Sequence, residues 1–599
     1  MSEDDGAFLG VSQSLTGRRW IEREADTRLG QAISQRLDLP EIVGRVLAGR
    51  GLTPETAPGF LNPSLRAALP DPNILADMEK AAGRIAAAIQ AGEEVAVFGD
   101  YDVDGATSSA LLKRFFEAAG GRLRIYIPDR LAEGYGPNAP ALLKLAADGV
   151  SLVITVDCGV MAFRPLAAAA EAGLDVIVAD HHQAETTLPP SYAVVNPNRL
   201  DDDSGLGQLA AVGVVFMLVV AVNRVLREAG WYGADRPEPD LRAWLDLVAL
   251  GTVCDVVPLT GLNRAFVAQG LKVMAKRRNP GLSALADVAR MDATPGTYHA
   301  GFLLGPRVNA GGRVGEAGLG ARLLSSDTVS NVKEIAAHLD ALNAERRAIE
   351  AEVEAAALEQ VLSEAGVSGN PGPVVFAAGQ GWHPGVIGIV AGRLKDRFQR
   401  PAVVIAVGDK EAKGSARSIS GVNIGAAMIA ALDDGLLING GGHAMAAGLT
   451  VDPDKLGWLK EFLDERLAED VAAARAGAAL KLDGAVSIAG ASTDLVDAVG
   501  AVAPFGVGNP EPRFAIPDVR LVAADVVGKN HVRCFFAGGE GGRLKGIAFR
   551  AADQVLGETL LTGLGRGFHI AGKLKIDEWK AERRTEMVLD DAAFAETTT

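Results

Sequence analysis

The chain has 599 residues, enough for three or four domains at ~100–200 residues each. Apolar residues make up 48% and charged residues 22%, and Gly (71) with Pro (28) stays below the ~25–30% of low-complexity chains, which excludes whole-chain disorder. With 59 Lys and Arg against 75 Asp and Glu the formal charge is −16, which argues weakly against a nucleic-acid partner but leaves room for a locally basic groove.

Residues 1–75 read as a helical, Pro-punctuated lead-in, and the acidic start Met-Ser-Glu-Asp-Asp carries no signal-peptide pattern. From residue 76 onward apolar strands alternate with helices. The strands are Val95–Phe98, Leu123–Ile127, Leu152–Val156, Asp175–Val178 and Ala193–Val195, with a helix starting near Ala106. Such alternation means βαβ units and a parallel sheet, here over residues 76–330. The apolar run Leu209–Val222, ~14 residues, is too short to span a bilayer and predicts a buried helix. Residues 331–366 are charged and free of Pro and Gly until Gly366, which predicts a long connecting helix. A second α/β domain is expected over 367–470. It runs from the strand Val374–Phe376 through a helix near Val386–Phe398 and a strand Ala402–Val407 to the Gly-rich Asn439–His443, read as a loop ahead of a helix. Residues 471–599 hold five short alternating strands, Val519–Val527, Val532–Phe536, Leu544–Phe549, Phe568–Ile576 and Thr585–Leu589, which predict a small β-barrel. The expected fold class is α/β multidomain. Three Cys (Cys158, Cys254, Cys534) cannot build a disulfide framework, so a reducing, cytoplasmic compartment is expected.

The chemistry concentrates at strand ends. Asp100, Asp102 and Asp104 alternate directly after the first buried strand, and Gly105 then turns the chain into a helix. Ligands in an open parallel sheet gather at the carboxyl ends of strands. Three like charges packed there are costly unless a cation joins them, against which stands the plain reading of a solvated Asp-rich turn. Asp157 ends the third strand, where alone it would pass for a helix N-cap. Asp180-His181-His182 ends the fourth, and Asp255 stands alone in an apolar segment, where a buried carboxylate needs a partner. Carboxylates with one or two imidazoles suit Mn²⁺ or Mg²⁺. So many carboxylates can hold two cations, which clamp the attacking and leaving oxygens of a phosphoryl displacement.

DYDVDG (100–105), VDCG (156–159), DHH (180–182) and GTVCDVVPL (251–259), in that order, resemble the DHH phosphoesterase superfamily, and within it the RecJ-type single-stranded-DNA exonucleases. IYIPDRLAEGYG (125–136) and GPRVNAGGRV (305–314) resemble further segments of its catalytic domain. WHPGVIGIVAGRL (382–394), GSARSI (414–419) and GGHAMAAG (441–448) resemble its DHHA1 domain, and PFGVGNPEP (504–512) resembles the lead into its oligonucleotide-binding (OB) barrel. Cys254 and Ala416 replace other small residues of the pattern.

The resemblance implies roles. One metal would be held by Asp104, Asp157, His181 and Asp255, and a second by Asp102 and a bridging Asp157, with Asp100 as ligand or support. His182 would lie beside the scissile phosphate. Arg forks suit phosphate geometry, so Arg130, Arg313 and the Ser415/Arg417 pair would form a 5′-phosphate pocket. His443, in the Gly-rich stretch, would add an anion contact. Lys529, His531, Arg533, Lys545, Lys573, Lys575, Lys580, Arg583 and Arg584, interleaved with Phe535, Phe536 and Trp579, would let the barrel grip a strand. The implied activity is a 5′→3′ exonuclease on single-stranded DNA, using two Mn²⁺ or Mg²⁺ ions, in recombination and repair. It would act in the cytoplasm and away from membranes, with a helicase or a single-strand-binding protein as candidate partner. The alternatives are a DHH phosphoesterase on short oligonucleotides or cyclic dinucleotides, and a non-catalytic DNA-binding relative.

Overall fold

The computed structural model describes residues 6–129, 133–366, 369–539, 541–577 and 583–595. It divides into two compact units. One comprises residues 63–471 with 506–508, the other residues 1–62, 472–505 and 509–599.

The first unit contains a five-stranded parallel sheet of β1 (Glu94–Gly99), β2 (Arg122–Tyr126), β3 (Leu152–Val156), β4 (Asp175–Ala179) and β5 (Ala193–Val195), in the order β2-β1-β3-β4-β5. Helices pack on both faces, so β3 is buried along its whole length and reads as an unbroken apolar run, Leu-Val-Ile-Thr-Val. Four helices shape the site: α1 (Val103–Ala119), α2 (Ala211–Glu228), α3 (Leu245–Cys254) and α4 (Gly305–Val314). The apolar run from Leu209 onward becomes the buried α2, and no helix among the described residues is long and apolar enough to cross a membrane.

α3 buries one carboxylate away from the strand ends. Asp246 is buried, and its Oδ1 accepts from Leu247 N at 2.9 Å. Burial pushes its pKa up to about 6, against the opposing pull of the Arg114 charge. A carboxyl whose folded pKa is raised contributes its stability below the unfolded value, and that contribution is lost as pH rises through the folded value. Asp246→Asn is therefore expected to stabilise the protein by about 1–3 kcal/mol at pH 8 and to change little at pH 4, read from denaturation midpoints across pH.

α5 (Val329–Ala365), 37 residues long, carries the chain to the second sheet. At its middle Arg346 bonds Glu350 at 2.7 Å, and Arg393 pairs with both Glu350 and Glu354. Arg393 belongs to α6 (Ile387–Phe398), so the pairs fasten α5 to the second sheet's covering helix. That sheet comprises β6 (Val375–Gln380), β7 (Ala402–Val407), β8 (Ala412–Arg417), β9 (Leu437–His443) and β10 (Ala446–Val451), in the order β9-β10-β8-β7-β6. Only β6 and β7 are parallel.

Here the sequence expectation is corrected. Asn439–His443 is not a loop ahead of a helix but the edge strand of a tight hairpin, and the next long helix begins only at Leu456. Glycine is usually poor in strands, but a Cβ on Gly442 would meet Ala446 O at 2.4 Å, so close backbone approach requires it.

In the second unit five strands close into a barrel: β11 (Phe514–Val527), β12 (His531–Ala537), β13 (Arg543–Ala548), β14 (Gly567–Asp577) and β15 (Arg584–Phe594). β14 pairs with both β15 and β11, which shuts the sheet on itself. The residues read as a separate lead-in do not stand alone. Ile33, Val43 and Leu47 share one apolar core with Phe514, Phe536 and Phe568. The strand Arg19–Glu22 pairs in parallel with Ala479–Leu482, and Trp20 Nε1 donates to the buried Asp591 at 3.0 Å. Deleting 475–599 alone is therefore expected to leave residues 1–62 with an uncovered apolar face and to yield aggregated protein. Residues 63–471 expressed alone are expected to stay monodisperse, as size-exclusion chromatography of the two truncated proteins would show.

Candidate metal centre and phosphate pocket

β1 lies between β2 and β3; the connection from β1 runs outward to β2 and that from β3 outward to β4, so the carboxyl ends of β1 and β3 flank a switch point. Ligands bind at such a switch point, outside the strands' carboxyl ends. Gly99 pairs with Val156, which places the turns after β1 and β3 side by side. Asp102 caps α1 by accepting from Gly105 N at 3.0 Å, and a Cβ on Gly105 would meet Asp100 O at 2.4 Å. Asp157 follows β3 with φ 60°, a left-handed conformation that Asp tolerates better than most residues. Asp104 is buried in the first turn of α1, and its oxygens accept from Ala211 N and Val212 N at 2.7 and 2.9 Å. The N-terminus of α2 thus steadies this carboxylate. Asp255 follows the last turn of α3.

Three overlapping groups result. Asp100, Asp102 and Asp157 form one, Asp104, His181 and Asp255 a second, and Asp157, His181 and His182 a third. Within each, one donor atom per residue lies within 4.8 Å of the others. All seven acidic and His residues singled out in the sequence are brought together, with Asp157 and His181 each shared by two groups. Cys158 and Cys254 are in none of the three groups; their sulfurs contact the carbonyls of Val156 and Ala300.

The carboxylates strain against one another. Burial, then the charges of Asp255 and Asp102, push Asp104 well above the usual carboxylate range. Burial, then Asp102, Asp104, Asp100 and Asp255, do the same to Asp157. Asp255 is pushed up to about 7 by burial and by Asp102. The imidazoles are set differently. His181 Nδ1 lies 3.1 Å from Leu209 O, which fixes it as the donor and leaves Nε2 as a lone-pair acceptor. Burial and the neighbouring His182 hold its pKa down. His182 Nδ1 lies 2.7 Å from Asp180 Oδ1; burial opposes its protonation, but that hydrogen bond prevails and raises its pKa.

Residues of this kind fit divalent cations. His181 Nε2 and Asp255 Oδ2 are buried without hydrogen-bond partners, and clustered carboxylates of raised pKa gain most from an added positive charge.

Sequence reading passed over Asp180 and Tyr135. Asp180 also accepts from the backbone N–H groups of Val160, His181 and His182, and its own pKa is held down to about 2, burial being outweighed by the bond to His182. Its place in front of two His was the available signal. Tyr135 donates to Asp157 O at 3.1 Å and meets the His182 ring edge-on at 6.3 Å.

Tyr135 also lines a cavity of about 760 Å³ together with Arg313, Gly388, Lys413, Ser415 and Arg417. Arg417 Nη1 donates to Ser415 Oγ at 3.0 Å and to Ala416 O, and Arg313 Nη1 to Gly385 O at 3.0 Å. The cavity brings together three of the five residues assigned to phosphate. His443 does not line it: it stands exposed at the end of β9, and with no helix directly behind it the anion argument made for it lapses. Arg130 lies outside the described residues.

Several of the barrel's basic residues expected to grip a strand have carboxylate partners. Arg533 pairs with Asp525, Lys545 with Asp577 and Glu586, Lys573 and Lys575 with Glu511, and Arg583 with Asp497. Phe536 is in the core, whereas Phe535 is half-buried. Trp579 and Lys580 lie outside the described residues.

Three family descriptions match the chain: DHH family, N-terminal domain, over residues 94–252; DHHA1 domain over 371–469; and RecJ OB domain over 482–591. The single-stranded-DNA-specific exonuclease RecJ of Dickeya dadantii is 35% identical over 92% of this chain and 96% of its own. That of Escherichia coli is 35% identical with the same coverage. The crystal structure of RecJ from Thermus thermophilus in complex with Mn²⁺ superposes with a TM-score of 0.76 at 28% identity, covering 95% of this chain and 78% of that one. The Mg²⁺ complex gives 0.73 at 26%, covering 95% and 77%.

Proposed function

The chain belongs to the RecJ family, and on that premise we propose that it is a single-stranded-DNA-specific 5′→3′ exonuclease that hydrolyses phosphodiester bonds with two Mn²⁺ or Mg²⁺ ions, in recombination and repair. The observation that carries this reading is the overlap of three donor groups on Asp157 and His181, joined through Tyr135 to an Arg-lined cavity. Asp104, Asp157, His181 and Asp255 would hold one ion, and Asp102 and Asp157 the other, with Asp100 beside it. When bound, the ions would supply the positive charge that lowers the pKa of the attacking water and neutralises the phosphodiester.

This chain's own residues do the rest. Asp180 locks the His182 ring by its Nδ1, so Nε2 is the nitrogen left to face the scissile phosphate and to steady its charge or the leaving oxygen. Arg313, Ser415 and Arg417 seat a 5′-terminal phosphate, and Arg130 is proposed to join them. The geometry of His443 gives no support for the same role. A helicase or a single-strand-binding protein supplying the strand, and action in the cytoplasm, complete the proposal.

End-labelled single-stranded and duplex DNA, incubated with Mn²⁺, Mg²⁺ or EDTA, tests it. Mononucleotides released from the 5′ end of single strands, in the presence of cation only, are expected. Turnover in EDTA, or products from the 3′ end, would sink the reading. Asp180→Asn is expected to lower kcat about 10- to 100-fold, because the ring that it orients is freed, and to lower the melting temperature at neutral pH, because a carboxylate held at a depressed pKa stabilises the fold there, while affinity for a 5′-phosphorylated oligonucleotide holds.

A further inference from the structure

Directly ahead of α4 the helix widens into a π-helical turn, His299–Leu304. Such turns are rare and concentrate at functional sites. Here Tyr298 and Phe302, four residues apart, stack with ring centroids 5.5 Å apart and planes inclined by 24°. Neither ring is packed into a core: Tyr298 is 62% exposed and Phe302 71%. Large aromatic side chains left in water forgo the burial that normally stabilises them.

Their position links them to the carboxylate cluster. The π turn packs on the last turn of α3, with Cys254 Sγ 3.5 Å from Ala300 O. A Cβ on Gly305 would meet the same sulfur at 2.5 Å, and one on Gly301 would meet Val253 at 3.4 Å. Asp255, a member of the cluster, is the next residue after Cys254. Val256 follows with φ 64°, a strained conformation for a β-branched residue, and is 64% exposed.

We infer that Tyr298 and Phe302 form a stacking platform for the bases of the single strand at the cluster, an inference that rests on the exonuclease reading. Every base has a face that can stack on an aromatic ring, so such a platform holds any sequence. It also selects single strands, because bases inside a duplex are already stacked on one another. The pair is too small for a protein partner: two rings present at most about 300–500 Å², against the ~1,200–2,000 Å² of a stable interface.

The test compares the full-length protein with Tyr298→Ala/Phe302→Ala by fluorescence anisotropy in EDTA. The probes are a 5′-phosphorylated oligonucleotide and a backbone-matched oligonucleotide of abasic residues. The double variant is expected to bind the ordinary strand about 5- to 150-fold more weakly for each stacked base lost, and the abasic strand as the wild type does. Phe302→Trp is expected to keep the affinity and Phe302→Leu to lose it. The Leu variant keeps apolar bulk without the ring, and so serves if the Ala variants fold poorly. Equal losses on both strands, or no loss on either, would overturn the platform. Wild-type binding without hydrolysis when Mn²⁺ is restored would overturn the exonuclease reading instead, and the comparison of the two strands would still decide the platform.

Discussion

Asp157→Asn is expected to lower kcat by at least about 10³-fold while the protein stays folded. Asp157 is the one carboxylate shared by the Asp100–Asp102 group and the two-imidazole group, so its loss takes a donor from two sites at once. Bound cations contribute several kcal/mol to a phosphoryl displacement, and about 4 kcal/mol corresponds to 10³ in rate. The same substitution removes a buried carboxyl whose ionisation is opposed by burial and by Asp102, Asp104, Asp100 and Asp255, so the metal-free variant is expected to melt no lower than the metal-free wild type. Mn²⁺ at about 100 times its dissociation constant is expected to stabilise the wild type by about 2.7 kcal/mol and the variant by much less. Initial rates on an end-labelled oligonucleotide, with melting curves in EDTA and in Mn²⁺, measure all of this. Full turnover by Asp157→Asn would remove the two-ion assignment.

Arg417→Ala and Arg313→Ala are each expected to weaken binding of a 5′-phosphorylated end about 10- to 150-fold, the worth of one charge-assisted hydrogen bond at about 1.5–3 kcal/mol. A 5′-hydroxyl end is expected to be affected little. Arg417 is held in place by its bonds to Ser415 Oγ and Ala416 O, and Arg313 by its bond to Gly385 O, so both guanidiniums are ordered before any substrate arrives. Arg417→Lys is not expected to restore binding, because an ammonium keeps the charge but not the fork. The measurement is affinity for paired oligonucleotides that differ only in the 5′ group. Equal losses on both would leave these Arg as general backbone contacts and remove the end pocket.

Chemistry written into contiguous segments was legible in the sequence. Asp100, Asp102, Asp104, Asp157, His181, His182 and Asp255 each follow an apolar segment whose periodicity is local; a parallel sheet brings strand ends to one edge whatever the loop lengths, while Asp255 arrives from the end of α3. The long helix and the five barrel strands could be read for the same reason. Tertiary structure decided which charges remain available. Lys545 and Arg583 look like a basic stripe when counted along the chain, but their carboxylate partners come from other strands and segments, Asp577 and Glu586 for the one and Asp497 for the other. Charge neutralisation of this kind is a property of contacts, not of spacing. Asp180 holding the His182 ring, the α2 N-terminus on Asp104, and the hairpin that turns the Gly-rich stretch into a strand likewise need backbone groups delivered from elsewhere in the fold. The same holds for residues 1–62, whose apolar side chains read locally as a small helical module. They are buried only because the barrel, more than 400 residues later, supplies the other half of their core.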